Sequence, residues 1–134
     1  MSNFNLKIVT PDEQSFCGEA KSVLVRTDGG DVQILASHAD YFAALGTGRA
    51  KITLPDGEEK LAACSGGFIS VKNGEVSIVA TTFEFAHRID LKRAEAAKEK
   101  ADSALKEAKD DRSAMIAKAK LARALTRISV KRGI

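Results

Sequence analysis

Seven basic side chains and no acidic one occupy the last 23 residues of the chain, Arg112 to Ile134. The seven are Arg112, Lys118, Lys120, Arg123, Arg127, Lys131 and Arg132. They lie on an alanine-rich segment with helical periodicity, which predicts a helix with a strongly basic surface. A basic helix attached to another domain is typical of an interaction arm. The chemistry that this segment offers is therefore the binding of an acidic partner.

Residue types that could support catalysis are sparse. His38 and His87 have no serine or cysteine nucleophile motif beside them, so neither is predicted to act as a catalytic base. Cys17 and Cys64 are far apart in the sequence and belong to no Cys/His cluster. This pattern predicts two reduced thiols and no zinc site. The sequence thus predicts a chain without catalytic activity of its own.

The composition is typical of a folded globular protein, with 44% hydrophobic and 29% charged residues. No apolar run approaches the roughly 20 residues that a membrane-spanning helix needs. The N-terminal sequence has neither a charged leader nor a long apolar segment, so we expect no signal peptide. The two reduced cysteines favour the cytoplasm. Any membrane association is therefore expected to be peripheral.

Charge divides the chain into two parts. Residues 1–87 hold seven Lys/Arg and eleven Asp/Glu, whereas residues 88–134 hold fourteen Lys/Arg and seven Asp/Glu. Turn-forming residues divide it at a similar point, because no proline follows Pro55 and no glycine lies between Gly74 and Gly133. Opposite charge predicts different partners for the two parts, and the loss of glycine and proline favours helix in the second.

The first part, residues 1–86, has the pattern of short antiparallel strands. Apolar residues alternate with polar ones at Phe4–Ile8 and at Val23–Val25, which predicts half-buried strands. Pro55-Asp56-Gly57 and Asn73-Gly74 predict hairpin turns, the second because both positions tolerate positive φ. Strands this short and frequent predict an antiparallel β-sandwich or flattened barrel.

The second part, residues 87–134, has the pattern of two helices. One apolar stripe consists of Ala94, Ala97, Ala101, Leu105 and Ala108, and the next of Ala117, Leu121, Ala124 and Ile128. Asp90 and the pair Asp110-Asp111 are predicted helix caps. A short polar joint between two helices predicts an antiparallel hairpin. The expected fold class is therefore α+β, a sandwich followed by a two-helix hairpin.

The seam of this hairpin is mostly alanine, which buries little apolar area, about 0.8 kcal/mol for each methyl group. Helix propensity, in contrast, is near its maximum for Ala, Lys, Glu, Arg and Leu. Each helix is thus favourable by itself while the contact between them is weak. We therefore hypothesise that the second part is bistable and can open without losing its helices.

The layout and four strings together resemble the epsilon subunit of F-type ATP synthases. The strings are Ser65–Val71 (SGGFISV), Val76–Ala80 (VSIVA), Ile89–Ala94 (IDLKRA) and Leu125–Val130 (LTRISV). Ile89–Ala94 is similar to the family's I/L-D-x-x-R-A signature at the start of the first helix. The four strings occur in the family's order, and the resemblance in layout covers essentially the whole chain.

The resemblance implies a non-catalytic rotor subunit that couples ion translocation to ATP synthesis. The sandwich would contact the gamma subunit and the membrane ring of c subunits. The hairpin would rest folded, or extend into the α/β hexamer and inhibit ATP hydrolysis, where its basic face would meet acidic segments. Such a subunit would lie at the cytoplasmic face of the cell membrane, attached only through the complex. It would require no cofactor.

The resemblance also implies two sets of site residues. In some members the folded hairpin binds ATP as a regulatory ligand, and the matching residues are Glu84, Ile89, Asp90, Arg93, Ala94, Arg123 and Arg127. Arginines at positions 93, 123 and 127 would contact phosphates, and Asp90 or Glu84 would accept hydrogen bonds from the adenine amino group or ribose hydroxyls. The stretch Gly30–Tyr41 resembles the family loop GELGxxPGHxPL, in which Asp31 and His38 would face the c ring.

A simpler interpretation of the same residues remains open. Asp90 could serve only as a helix cap, and Arg123 and Arg127 could form a solvated face. A different class of function, a basic-helix protein that binds nucleic acid, is permitted by the charge of the C-terminal helix. Against it, aromatic residues make up only 5% of the chain and no RNA-stacking platform lies on the predicted strands.

Overall fold

The computed structural model describes residues 2–133, which form ten strands followed by two helices. The strands are β1 Phe4–Val9, β2 Gln14–Ala20, β3 Ser22–Thr27, β4 Gly30–Leu35, β5 Tyr41–Ala44, β6 Gly48–Thr53, β7 Glu59–Ser65, β8 Phe68–Lys72, β9 Glu75–Val79 and β10 Thr82–Phe85. A 3-10 turn, Ala86–Arg88, links them to helices α1, Leu91–Glu107, and α2, Asp111–Arg132.

Two five-stranded sheets form the first part, in the orders β2-β1-β9-β8-β5 and β10-β7-β6-β3-β4. The prediction of a sandwich followed by two helices is confirmed. One pairing departs from the antiparallel prediction, because β1 and β9 run parallel, with Leu6 opposite Val76. These two strands belong to separate hairpins. β2 pairs with one edge of β1, and β9 pairs with the other edge.

The main core lies between the two sheets and contains only strand and loop residues between Phe4 and Phe83. Its largest fully buried side chains are Leu6, Ile8, Val23, Val25, Ile34, Ile52, Ile69 and Ile78. The turn between β8 and β9 has positive φ at Asn73 (51°) and Gly74 (80°), as predicted for an Asn-Gly hairpin. The sandwich therefore has a complete core without the helices.

Both helices begin at the predicted aspartates. The Asp90 carboxylate accepts from the Arg93 backbone N–H at 3.1 Å, and the Asp110 carboxylate accepts from that of Ser113 at 2.6 Å. This hydrogen bond is the main reason why the pKa of Asp110 is lowered. The caps fix where each helix starts and so which face meets the other helix.

The seam between the helices is narrower than the sequence predicts. Ala94 and Ala101 on α1 are buried, as are Ala117 and Ala124 on α2. Ala97 belongs to the same apolar face of α1, but it is exposed. The outcome follows from geometry, because two helices in contact bury a stripe narrower than the apolar face that the sequence offers. The hairpin contact thus rests mainly on alanine methyl groups.

The two cysteines are free, as predicted, and differ in environment. Cys17 is exposed, whereas burial raises the pKa of the Cys64 thiol from 9.0 to about 12.

At pH 8 we expect Cys17 to react with a disulfide reagent more than about a hundred-fold faster than Cys64, because the thiolate is the reactive species. Equal rates would contradict this placement, and a C17S variant is the control that should lack the fast reaction.

Because the folded-state pKa of Cys64 is raised, its protonated thiol stabilises the fold fully below pH 9. This contribution to the free energy of unfolding is lost as the pH rises from 9 toward 12.

Candidate functional site

A cavity of about 350 Å³ opens where the sandwich, the linker and the two helices meet. Its lining residues are Glu84 from β10, Arg88 and Ile89 from the linker, Asp90, Arg93, Ala94 and Ala97 from the start of α1, and Arg127 from α2. We call it the junction cavity. Its volume is that of a small-molecule pocket, which is typically about 300–1,000 Å³.

The start of α1 positions one wall of the junction cavity. Asp90 caps the helix, and this fixes the first turn so that Ala94 is buried at 3% exposure while Arg93 remains exposed. Ala94 and Ala97 are small, so the helix surface leaves space in front of the arginine. The capping bond engages one carboxylate oxygen of Asp90. The cap and the cavity wall are thus built from the same residue.

An ion pair crosses the junction cavity from sheet to helix. The Arg127 Nε donates to Glu84 Oε1 at 2.6 Å, and the two side chains are 27% and 37% exposed. Half-exposed pairs of this kind contribute little stability, typically about 0–1 kcal/mol. The pair's main consequence is orientation, because it fixes the Arg127 guanidinium at the boundary between the two parts of the chain.

Three further contacts hold the hairpin to the sandwich. Lys131 Nζ donates to the Ala86 carbonyl at 3.1 Å, and Arg88 Nη1 pairs with Glu13 Oε1 at 2.8 Å. A second, small core contains Ala63 of β7, Ile89 of the linker and Val130 of α2, all at most 7% exposed. Leu61 and Ala86 pack against it. The folded hairpin is therefore docked through a small, well-defined contact separate from the main core.

Shortening Val130 to alanine is expected to loosen this contact. Losing two buried methyl groups at about 0.8 kcal/mol each lowers the stability of the docked state by about 1.6 kcal/mol, a roughly 15-fold shift toward the undocked state. Hydrogen exchange should accelerate in the amides of α2 but not in β1 and β9. Leu125→Ala is the control, because Leu125 is on the same helix but is 45% exposed. Unchanged exchange in V130A would exclude this small core as the docking contact.

The charged residues that line the junction cavity are three arginines and two carboxylates. Arg88, Arg93 and Arg127 are forked donors for phosphate oxygens, and Glu84 and Asp90 are acceptors for amino and hydroxyl groups. The lining holds no serine, cysteine or histidine that could act as a nucleophile or base. Within residues 2–133 no group of three His, Cys, Asp or Glu could hold a metal ion. The arginines and carboxylates of this lining could bind an anion that also carries hydrogen-bond donors.

The structure brings together six of the seven residues that the resemblance implied for ATP. These are Glu84, Ile89, Asp90, Arg93, Ala94 and Arg127. Arg123 lines an adjoining cavity, which shares Arg127 and Ala97 with the first. Sequence reasoning missed Arg88 and Ala97 as lining residues. Arg88 directly precedes the Ile89-Asp90 signature, and this position could have indicated that it lines the cavity. No feature of the sequence indicates its ion pair with Glu13, which is 75 residues away.

The two residues implied for the c ring lie at opposite ends of β4. Asp31 pairs with Arg26 beside the β3–β4 turn. His38 follows β4, where its ring packs edge-on against Tyr41 with centroids 5.7 Å apart. Asp31 and Leu35 are four residue steps apart at about 3.3 Å each, so about 13 Å of strand lies between the two ends.

Two protein-family descriptions match the chain in succession. "ATP synthase, Delta/Epsilon chain, beta-sandwich domain" matches residues 3–86, and "ATP synthase, Delta/Epsilon chain, long alpha-helix domain" matches residues 88–132. A protein of Bacillus velezensis named ATP synthase epsilon chain is 38% identical over 130 residues, covering 97% of this chain and 98% of that protein. A protein of the same name from Clostridium novyi is 39% identical over 127 residues, covering 95% and 96%.

Solved structures share the fold at lower identity. A chain of the Euglena gracilis mitochondrial ATP synthase superposes with a TM-score of 0.83 at 21% identity, covering 94% of this chain and 79% of that one. A chain from the central stalk and c ring of the Tetrahymena thermophila enzyme gives a TM-score of 0.65 at 13% identity, covering 95% of each. The sequence matches confirm the resemblance inferred from the four strings, and the structural matches confirm the fold.

Proposed function

Because the chain belongs to the ATP synthase delta/epsilon family, we propose that it is a non-catalytic central-stalk subunit of F1Fo ATP synthase. In this role the sandwich contacts the gamma subunit and the c ring and couples ion translocation to ATP synthesis. The names of its relatives support membership of the complex. The same family membership favours this function over nucleic-acid binding.

An exposed apolar patch on the sandwich supports a protein contact there. Phe42 is 67% exposed and Phe68 37% exposed, with ring centroids 5.1 Å apart, and Val79 lies opposite Phe68 on the adjacent strand. Contiguous exposed apolar side chains mark protein–protein contacts more often than isolated ones do. We assign this patch to the gamma subunit as part of the proposal.

The observation that carries the regulatory part of the proposal is the small docking contact of the hairpin. Val130, Ile89 and Ala63 form it, together with the Arg127–Glu84 pair, while the main core contains no helix residue. The hairpin can therefore leave the sandwich without unfolding it. In the extended state its basic face meets acidic segments of the α/β hexamer and inhibits ATP hydrolysis. In the docked state the junction cavity binds ATP, which favours docking by mass action.

The proposed location is the cytoplasmic face of the cell membrane, through the complex alone. In the described part of the chain no helix is both long enough and apolar enough to cross a membrane. The net charge of +3 and the basic second half suit contacts with acidic protein partners.

Reconstitution tests membership of the stalk directly. The full chain is added to vesicles that hold the matching ATP synthase, complete except for its epsilon subunit. We expect it to co-purify with gamma and to restore ion-driven ATP synthesis, while the isolated chain hydrolyses no ATP. A double variant, Phe42→Ser with Phe68→Ser, should bind gamma less tightly. Failure of the unmodified chain to associate would overturn the proposed function.

A further inference from the structure

The linker, residues 86–89, is held against the sandwich by the side chains of two successive residues. The His87 ring stacks on the Phe85 ring of β10, with centroids 6.0 Å apart and ring planes 15° apart. Arg88 Nη1 donates to Glu13 Oε1 at 2.8 Å, and Glu13 lies in the turn between β1 and β2. The linker is therefore attached to two different parts of the sandwich.

Ile89 adds an apolar attachment directly after these two. Its side chain is 3% exposed and packs in the small core beside Ala63 of β7. Its backbone N–H donates to the Ala86 carbonyl at 3.2 Å, which closes the 3-10 turn. Removing a buried isoleucine side chain from its apolar contacts exposes a large apolar surface to water. The last linker residue is thus anchored as firmly as the first.

The attachments to the sandwich end at the next residue, Asp90. Its backbone is extended, with φ −90° and ψ 108°. Its carboxylate accepts from the Arg93 N–H, and its carbonyl accepts from the Ala94 N–H at 3.0 Å, so within residues 2–133 its hydrogen bonds go to α1. The main packing partner of α1 is α2, whereas α2 packs on β6, β7 and the linker turn. Asp90 is therefore the first residue that belongs to the hairpin alone.

We propose that the hairpin pivots at Asp90 when α2 leaves the sandwich, and that residues 86–89 stay behind as the end of the sandwich. A torsional change at Asp90 breaks none of the three attachments, whereas a pivot before His87 breaks all of them. Hinges are commonly a few residues at the ends of elements that absorb such changes. The inference rests on the proposed release of the hairpin and adds where the chain bends.

Glu13 is a positioning residue in this arrangement, because it holds Arg88 and is itself fixed. The Thr10 N–H donates to the Glu13 carbonyl at 2.9 Å, and the Glu13 N–H donates to Thr10 Oγ1 at 3.3 Å. The side chains of the Arg88–Glu13 pair are 58% and 47% exposed, so the pair alone contributes little stability. It acts together with His87 and Ile89 to keep the linker on the sandwich.

The first test is residue-resolved hydrogen exchange of the isolated full chain, which needs no partner subunit. In Val130→Ala, exchange of the α2 amides should accelerate, while that of the Ile89 amide should change less than about three-fold, because the linker keeps its contacts. In Glu13→Gln, the Ile89 amide should exchange up to about five-fold faster while the α2 amides do not change. The matched control is Glu19→Gln, because Glu19 is exposed on β2 and forms no ion pair within residues 2–133.

Two exchange results would contradict the inference. If V130A accelerates the Ile89 amide by the same factor as the α2 amides, the linker leaves together with the hairpin and the pivot is not at Asp90. If E13Q and E19Q have the same effect on the Ile89 amide, Glu13 does not position the linker. Neither result depends on whether the chain inhibits ATP hydrolysis.

The second test uses the inhibition that the proposed function predicts. Lys60 Nζ lies 5.9 Å from the centroid of the Phe85 ring on which His87 stacks, so cysteines at positions 60 and 87 are within reach of a cleavable bis-maleimide. With Cys17 replaced by serine, this bridge ties the linker to β7. The α/β/γ complex with the bridged chain should hydrolyse ATP as slowly as the complex with the same chain after cleavage.

Faster hydrolysis with the bridged chain, reversed by cleavage, would show that the linker must leave the sandwich, and the pivot at Asp90 would be wrong. If neither form inhibits, the inhibitory part of the proposed function fails, and the exchange of the Ile89 amide in V130A alone decides where the hairpin pivots.

Discussion

Tethering residue 131 to residue 86 is expected to abolish the inhibition of ATP hydrolysis by this chain. In the folded state Lys131 Nζ lies 3.1 Å from the Ala86 carbonyl oxygen, so cysteines at these two positions are within reach of a short, cleavable bis-maleimide. A bridged α2 cannot leave the linker, and the hairpin cannot extend. The α/β/γ complex with the bridged chain should therefore hydrolyse ATP as fast as the complex without any hairpin.

The tether has internal controls. The exposed Cys17 is first replaced by serine, while the buried Cys64 remains. Cleaving the bridge should restore inhibition, and a single-cysteine K131C variant treated in the same way should inhibit as the unmodified chain does. Full inhibition by the bridged chain would show that the hairpin inhibits without leaving the sandwich, and the extension mechanism would be wrong.

Replacing Arg127 with alanine is expected to weaken ATP binding by about 10- to 100-fold. Arg127 lines both the junction cavity and the adjoining cavity between the two helices, so its guanidinium is within reach of a phosphate chain that runs between them. A hydrogen bond to a charged group contributes about 1.5–3 kcal/mol, and about 1.4 kcal/mol corresponds to a factor of ten in affinity. Equilibrium titration of the full chain with ATP measures the change. Lys118→Ala is the control, because Lys118 is exposed on the same helix and lines neither cavity.

A second variant separates the two roles that Arg127 has. Glu84→Gln breaks the 2.6 Å ion pair but keeps the arginine and an amide oxygen that can still accept a hydrogen bond. If Arg127 acts by contacting phosphate, E84Q should bind ATP at least as tightly as the unmodified chain, because a negative charge has left the cavity. If E84Q loses as much affinity as R127A, ATP binding requires the Glu84 carboxylate itself, as the partner of Arg127 or as an acceptor for the ligand, and a phosphate contact by Arg127 alone does not account for binding.

Local signals in the sequence predicted the elements that depend on neighbouring residues. Asp90 and Asp110 cap helices because a short acidic side chain reaches the backbone three residues ahead, a relation that the sequence displays directly. Asn73-Gly74 makes a hairpin for a similarly local reason. The parallel pairing of β1 with β9 joins residues 70 apart, such as Leu6 and Val76, and no local pattern encodes it.

The candidate site was predictable only through the resemblance. Glu84 and Arg127 are 43 residues apart and meet because α2 docks on β7, a result of the packing of Val130 against Ala63 and Ile89. The spacing of these residues in the sequence does not predict that contact. The adjoining cavity between the two helices had a partial signal in the acid-free C-terminal segment, but its lining residue Lys100 belongs to the other helix and joins that segment only through the hairpin.

The most direct test of the rotor-inhibitor account is ATP hydrolysis by the matching α/β/γ complex, alone, with the full chain, and with a truncation that ends at Ala86. The truncation retains the whole main core, since that core includes no residue beyond Phe83, so it is expected to fold and bind. The account predicts that both forms bind and that only the full chain slows hydrolysis. Equal hydrolysis rates with both forms bound would contradict it, because the helices would then have no inhibitory role.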